Sequence, residues 1–423
     1  MGRKKGIDNS LAPMITPEEK KRIKAISEEA AKHYEQVIRD IKNSGNTKVR
    51  FAAYVIYDST YGMDGTVKLM LQDKNYWDVK VVIIPDVLRG EVHAKNTYEK
   101  TKKYFVEKYG EEYVIDGYNS EKDEYYDLLD QFDIVYYANP YDCMVHKYHS
   151  IEYASHKNVL PIYVSYGYDV GQYTTLGRLY GPELNLVWKC FADTRYSLKD
   201  FKKYQVNRGK NVVLAGYSKM DELAKIEEKK REKKKILITP HHTIDCDILP
   251  LSNFQYYSDL ILELPKMYPG IEFVFRPHPL LFTNLVNSKK WSEKQVEEYL
   301  KKLNELGVEY SNEGDYMHLY RECDAIINDC GSFTVEWLYT GKKGCFVYNK
   351  DLSEDKITRL MRKAISCYDI ARSREDIISF VDKIANDKNN AKIKSRFWIK
   401  RNIFLGFPNV SKKILDELSI IER

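Results

Sequence analysis

At 423 residues the chain is too long for one ordinary domain and suits two or three. Hydrophobic residues make up 43% and charged residues 30%, a globular balance, and the longest apolar runs, such as Val81–Pro85, fall far short of the roughly 20 residues of a membrane span. Seven scattered cysteines without a CxxC pair argue against a disulfide frame or zinc knuckle. With no apolar segment after the charged Met1–Lys5, they point to a cytoplasmic protein with reduced thiols.

The net charge of +5 is carried by residues 1–50, which hold twelve Lys or Arg against seven Asp or Glu. A nucleic-acid surface usually covers a face of a folded domain, so a surplus confined to one arm argues against a nucleic-acid partner. Within the arm, Thr16-Pro17-Glu18-Glu19 predicts a helix start, and Ile23, Ile26, Ala30, Tyr34, Val37, Ile38 and Ile41 recur at helical spacing as far as Ser44-Gly45. Such a stripe packs on the body of the protein; the alternative is a basic helix resting on anionic lipid or a neighbouring domain.

From Arg50 the pattern alternates. Phe51–Tyr57, Val79–Ile84, Ile134–Tyr137, Pro161–Ser165 and Val212–Ala215 read as strands. Gly65–Gln72, Asn96–Tyr109, Glu121–Gln131, Tyr148–Lys157 and the charged Lys219–Lys235 read as helices. A second series follows, with strands Ile236–Thr239, Ile271–Arg276, Val308–Tyr310, Ala325–Asn328 and Gly344–Val347. Its helices are Phe254–Met267, Glu293–Leu306, Tyr316–Glu322, Thr334–Thr340 and Asp376–Ala385; the tail Ile393–Leu418 reads as helical segments broken at Gly406-Phe407-Pro408. Two doubly wound α/β units in tandem are predicted.

Ligands in such sheets bind beyond the carboxyl ends of the strands. Three junctions of the second series carry chemistry: Thr239-Pro240-His241-His242, Arg276-Pro277-His278-Pro279, and Asn328-Asp329-Cys330-Gly331-Ser332 before a helix opening near Thr334. Arg276 supplies a permanent cation and His278 a titratable imidazole, a pair suited to a diphosphate whose leaving oxygen gains charge. Gly331 permits close backbone approach, and Ser332 places a hydroxyl at a helix start, which suits a phosphate or serves as an ordinary cap. Asp329 is placed to orient a ligand hydroxyl or the Ser332 loop. Asp245-Cys246-Asp247 resembles a metal motif but lacks its context, and adjacent His241 and His242 with a lone Cys246 lack structural-zinc spacing. Phosphate-loop, dinucleotide and zinc-protease motifs do not occur.

Together these junctions resemble the CDP-glycerol glycerophosphotransferase family, which includes teichoic-acid primases and polymerases. Leu214–Leu223 looks like its Gly-Tyr-Pro-Arg/Lys-x-Asp-x-Leu segment, with Ser218 in place of the proline. Ile236–His242 matches Ile-Leu-Tyr-Thr-Pro-Thr-Trp, Phe275–Pro279 matches Arg-x-His-Pro, and Asp315–Leu338 resembles the family's Asp-x-Tyr and Thr-Asp-Tyr-Ser-Ser stretch. The resemblance spans about residues 130–415. It implies a GT-B fold of two facing Rossmann-like domains, with C-terminal helices crossing back to the first domain. It also implies metal-independent transfer without a cofactor, His278 at the donor phosphates, and Gly331 and Ser332 at a helix-terminus phosphate site.

One departure matters. Where the family carries Gln-x-Trp-His-Gly, this chain reads Tyr163-Val164-Ser165-Tyr166-Gly167. Tyr166 replaces the histidine that is a candidate base, and an unperturbed tyrosine with a pKa of about 10 is a poor base at neutral pH. Asp58, after the first strand, is the preferred substitute; it serves equally well as a turn-capping Asp. His146 and His149 are the others.

The expected organisation is a basic arm (1–46), an acceptor domain (47–228), a nucleotide-donor domain (229–388) and C-terminal helices (389–423). The expected activity is transfer of a polyol phosphate from a CDP-linked donor to a hydroxyl of a surface polymer, teichoic acid or capsule, with release of CMP. His278, Asp58 and Tyr166 would be catalytic; Arg276, His241, His242, Asp329, Gly331, Ser332 and Thr334 would bind the donor. Rival readings are a GT-B glycosyltransferase using a CMP- or UDP-sugar and a non-catalytic nucleotide-binding scaffold. The partners expected are the donor, a polymer or lipid-linked acceptor, and a peripheral membrane or partner-domain contact through residues 1–46.

Overall fold

The structure is a computed structural model that describes residues 15–227, 231–386 and 396–421. Residues 1–14 of the basic arm, 228–230 of the charged run and 387–395 before the tail helices lie outside the described residues. The chain divides into two compact units. Among the described residues, one holds 15–167, 176–221 and 402–421; the other holds 222–227, 231–386 and 396–401 together with the short segment 168–175.

The first unit is built on a seven-stranded parallel sheet: β1 (Val49–Val55), β2 (Trp77–Ile83), β3 (Val114–Asp116), β6 (Ile134–Tyr137), β7 (Leu160–Val164), β8 (Lys189–Ala192) and β9 (Val212–Leu214). Its strand order is β3-β2-β1-β6-β7-β8-β9, so the winding reverses between β1 and β6. The hairpin β4 (Tyr118–Asn119) and β5 (Glu124–Tyr125) stands outside it. Helices cover both sheet faces, and strands such as Leu-Pro-Ile-Tyr-Val are buried at every position, which is why they read as continuous apolar runs. Arg50, within β1, is neutralised by Asp133, whose carboxylate accepts from both its guanidinium (2.6 Å) and its backbone N–H (2.8 Å).

The helix Pro17–Asn43 starts as predicted, with the Thr16 hydroxyl accepting the Glu19 N–H at 3.1 Å. Its Ala30, Tyr34, Val37 and Ile41 join the hydrophobic core of this unit, and the Tyr34 hydroxyl donates to the Leu186 carbonyl. The end of the chain returns to the same unit: the helix Val410–Leu418 packs on the helix Asp64–Gln72, with Val410, Ile414, Leu415 and Leu418 buried in its core. The stretch Gly216–Asp221 forms its socket. Gly216 has φ +114°, and a Cβ there would lie 1.9 Å from the Leu405 carbonyl oxygen, so both conformation and space demand glycine. Asp221 caps the returning helix by accepting the N–H groups of Val410 (3.2 Å) and Ser411 (2.7 Å).

The second unit carries a six-stranded parallel sheet: β10 (Lys234–Thr239), β11 (Ile271–Phe275), β12 (Glu309–Tyr310), β13 (Ala325–Asn328), β14 (Lys343–Val347) and β15 (Asp369–Ala371). The order β12-β11-β10-β13-β14-β15 reverses between β10 and β13. Its core packs Ile236, Ile238, Phe273 and Phe275 against Phe254, Leu260, Leu264 and Phe380.

Two helix predictions fail. Glu121–Gln131 forms β5 and a short 3-10 turn at Leu129–Gln131, and among the described residues of Lys219–Lys235 the α-helix covers only Asp221–Lys225 before β10 begins at Lys234. In the second case the strand takes Lys234 and Lys235 because Lys235 is neutralised on the sheet by Glu309 at 2.6 Å. The helices Gln172–Tyr180 and Arg195–Tyr204 and the strands β3, β8 and β15 have no counterpart among the predicted elements.

Candidate functional site

Beyond the carboxyl ends of three adjacent strands of the second unit, β11-β10-β13, three histidines meet. His241 and His242 follow β10, and His278 follows β11. Ring centroids are 4.4 Å apart for His241 and His242, 5.3 Å for His241 and His278, and 4.0 Å for His242 and His278. This is the edge where the winding of the sheet reverses, the usual ligand crevice of such folds. The loops are tied together by backbone: the His278 N–H donates to the Pro240 carbonyl at 3.0 Å.

Asp329, after β13, holds this arrangement from below. One carboxylate oxygen accepts the His241 N–H and the other the Asn253 N–H, both at 2.6 Å, so the side chain clamps both ends of the loop 241–253. Burial pushes its pKa up to about 7, against the pull of the N–H donors. Asp329 is thus placed under the His241 loop, where it fixes the histidines.

The tautomers follow from the hydrogen-bond network. His278 Nδ1 accepts the Leu280 N–H at 3.2 Å. His242 Nδ1 accepts from the Asn284 amide at 3.2 Å, and that amide is oriented by its second bond, to the His242 carbonyl at 2.9 Å. Thr243 Oγ1 accepts the N–H groups of Leu251 (3.1 Å) and Ser252 (3.3 Å), which leaves its proton for His241 Nδ1 at 3.0 Å. In all three rings Nδ1 is an acceptor, so Nε2 carries the proton. Burial, then the neighbouring imidazoles, hold His241 well below the ordinary histidine pKa; burial lowers His242; burial, His242 and Arg276 bring His278 down to about 3. The cluster is neutral at neutral pH and donates N–H groups.

One nitrogen from each ring lies within 4.8 Å of one from each of the others, close enough to raise the question of a metal ion. Ligating histidines normally donate their second N–H to a carboxylate, carbonyl or water. Here the second nitrogens face donors, so the set fits a divalent ion poorly and an oxyanion well.

The other predicted donor residues have different neighbours. The Arg276 guanidinium, 7% exposed, donates to Ser311 Oγ (2.8 Å) and the Glu313 carbonyl (2.6 Å) and lies 4.7 Å over the Tyr316 ring. It therefore braces the His278 loop from the β12 side. What the missing Cβ of Gly331 makes room for is Val170, whose Cγ2 would be 2.8 Å away. The Ser332 hydroxyl accepts the Tyr168 N–H at 3.1 Å. Thr334 Oγ1 lies 2.7 Å from Asn328 Oδ1 and 2.6 Å from the Cys330 carbonyl. Gly331, Ser332 and Thr334 thus seat the segment 168–175 and the start of their own helix. Asp245 and Asp247 are exposed, and Asp245 pairs with Lys290 at 3.2 Å.

In the first unit Asp58 begins a 3-10 turn after β1; its carboxylate accepts the Ser59 N–H (2.9 Å) and lies 3.9 Å from the Lys100 ammonium. Thr60 Oγ1 reaches Asn139 Oδ1 at 2.7 Å, joining the ends of β1 and β6 at the reversal point of that sheet. Tyr166 sits after β7, with its carbonyl accepting the Tyr217 hydroxyl at 2.8 Å. His149 is buried with Nε2 on the Tyr126 carbonyl (3.2 Å) and its pKa lowered to about 4 by burial; His146 stacks on Tyr125 at 4.1 Å. His149 is thus a packing residue, and His146 is half-buried.

One group was missed: Asp86, fully buried after β2, takes hydrogen bonds from Tyr57, Arg89 and the Leu88 N–H, with His93 Nε2 4.0 Å away. Burial raises the Asp86 pKa but the donors outweigh it, leaving the carboxyl below its usual range. An Asp straight after a buried strand, in Ile84-Pro85-Asp86, was the available signal.

No protein-family profile and no curated protein matches this sequence. Solved structures do match in fold. The wall teichoic acid polymerase TagF, soaked with CDPG, aligns with a TM-score of 0.55 over 95% of this chain and 98% of that one, at 12% identity. The UDP-GlcNAc 2-epimerase of Methanocaldococcus jannaschii, in complex with UDP-GlcNAc and UDP, aligns with a TM-score of 0.53 over 88% and 99%, at 13% identity. That of Neisseria meningitidis, bound to UDP-GlcNAc, aligns with a TM-score of 0.50 over 88% and 99%, at 16% identity. The fold is therefore GT-B-like: α/β, with two Rossmann-like parallel sheets.

Proposed function

We propose that this chain is a metal-independent transferase that moves a polyol phosphate, glycerol-phosphate-like, from a CDP-linked donor to a hydroxyl of a cell-surface polymer. The observation that carries this reading is the trio of neutral imidazoles, each with its Nε2 protonated, at the reversal point of the second sheet. Such donors stabilise charge that grows on a diphosphate without a divalent ion. The acceptor hydroxyl oxygen attacks the phosphorus attached to the polyol. The bond from that phosphorus to the bridging oxygen breaks, and CMP leaves with the electron pair. His278 Nε2–H, assisted by His242 and His241, donates to the phosphate oxygens, while Asp329 and Arg276 hold the loops in place. The proton of the acceptor hydroxyl goes to a general base, for which Asp58 is the candidate the sequence offers. The sequence motifs and the GT-B-like fold support the same reading.

The second reading, transfer of a sugar from a CMP- or UDP-sugar with attack at carbon, is favoured by one observation: Tyr166 stands where the resembled family has its histidine. A non-catalytic scaffold would bind nucleotide without turnover. Calorimetry with CDP, CMP, UDP and GDP, with and without EDTA, tests these. Selective CDP binding that survives EDTA supports the proposal, preference for CMP or UDP moves it to sugar transfer, and no binding removes its basis. Product linkage, phosphodiester or glycosidic, then decides between the two enzymes.

A further inference from the structure

The basic amphipathic helix was one expected membrane contact. Its apolar stripe is covered, however: Ile23, Ala30, Tyr34, Val37 and Ile41 are all buried. No helix among the described residues is long and apolar enough to cross a membrane.

The first unit does leave apolar side chains in water elsewhere. Directly after the buried end of β2, residues 87–93 are seven exposed positions in succession: Val87, Leu88, Arg89, Gly90, Glu91, Val92 and His93. Val87 is 42% exposed, Leu88 58% and Val92 78%. Three aliphatic side chains so exposed within six residues form a concentrated apolar tip, unlike the singly scattered exposed apolar residues of ordinary surfaces.

The tip is held in shape. Asp86 accepts the Leu88 N–H at 2.8 Å and the Arg89 guanidinium at 2.5 Å, the Tyr57 hydroxyl bonds to both Asp86 and Arg89, and the Val87 N–H donates to the Met144 carbonyl at 2.9 Å. Gly90, at φ +89°, turns the chain into the helix Glu91–Tyr109. Of the cations in residues 87–103, Arg89 is held by Asp86 and Lys102 by Asp116 at 2.7 Å, which leaves Lys95, Lys100 and Lys103 exposed, against Glu91 and Glu99. Lys100 and Lys103 are 75% and 77% exposed and only loosely paired, with Asp58 and Glu107 at 3.9 Å. An aliphatic tip flanked by solvated cations matches the two layers of a bilayer surface, acyl boundary and anionic headgroups.

We propose that residues 87–93, with the lysines of the following helix, form a peripheral membrane lip that inserts Val87, Leu88 and Val92 into an anionic bilayer surface. The lip lies at the carboxyl edge of the first sheet, so it would bring a lipid-borne molecule to the edge that carries Asp58. It stands independently of the transfer reading, which is tested by nucleotide binding.

Sedimentation of the full chain with vesicles of equal parts phosphatidylglycerol and phosphatidylcholine tests it, with phosphatidylcholine alone as reference. The protein is expected to pellet with the anionic vesicles, and combined Val87→Ser, Leu88→Ser and Val92→Ser to lower its partition coefficient about tenfold or more. CDP affinity and the unfolding midpoint should not change. A Leu88→Trp variant should show a blue-shifted emission on the same vesicles. Three outcomes overturn the proposal: no binding by the unaltered chain, undiminished binding by the triple variant, or a Leu88→Trp variant that binds with no more blue shift than the unaltered chain. The first would leave the tip to a protein partner.

Discussion

The carboxyl edges of the two sheets are opposites in electrostatics. In the second unit the groups that meet are uncharged: three imidazoles with depressed pKa values, locked in one tautomer, over a clamped Asp329, with the buried Arg276 turned to the β12 side. In the first unit it pairs acids with bases, Asp58 lying 3.9 Å from the exposed Lys100 and the buried Asp86 bonded to the half-exposed Arg89. The difference teaches that one polypeptide can present polar groups at its sheet edges in two ways. Neutral donors must be aimed by the fold, because they have no net charge to attract a ligand from a distance; charged groups act at range and tolerate solvent.

The comparison breaks most visibly at Asp58. If it accepts the acceptor proton, Asp58→Asn should lower turnover by about a hundredfold or more while leaving CDP affinity unchanged, since general-base catalysis typically contributes 10²–10⁴-fold. Steady-state turnover beside calorimetry checks this. In the second unit, Asp329→Ala strands the N–H groups of His241 and Asn253 and should cost about 3 kcal/mol in urea unfolding. Asp58→Ala, by contrast, should shift the urea midpoint little.

His278→Ala should weaken CDP binding by roughly ten- to a hundredfold, the value of one hydrogen bond to a charged group, with His278→Gln retaining part of it. The pH response sharpens the contrast further. A histidine with a depressed folded-state pKa contributes stability above its unfolded value of about 6.5, and that stability is lost as pH falls through the folded pKa, here about 3 for His278. Thermal unfolding from pH 7 to pH 4 should therefore fall more steeply for the unaltered chain than for His278→Gln. The smallest effect is expected at Gly331→Ala, which asks Val170 to move and should cost about 1 kcal/mol with unchanged CDP affinity. A large loss of affinity there would restore Gly331 to the binding site.

Much of the fold was legible because its signals are local. Continuous apolar strands such as Ile236–Thr239 and the Thr16-Pro17 helix start carry their own patterns. β8 was missed because Lys189-Cys190-Phe191-Ala192 is short and begins with a lysine whose ammonium reaches Glu417, far along the chain. The run Glu121–Gln131 misled because charged residues at helix-like spacing also suit an exposed hairpin.

What the sequence determined by itself was the doubly wound α/β architecture and the strand-end positions of His241, His242, His278 and Asp58, since strand periodicity and junction position are properties of a few consecutive residues. The tertiary structure decided which of these groups act together. It brought His278 to His241 and His242, turned Arg276 to Ser311, and gave Gly331 and Ser332 to Val170 and Tyr168. Those outcomes depend on sheet order and on which loop packs over which strand end. Long-range packing sets both, and no short stretch of residues contains the distances involved.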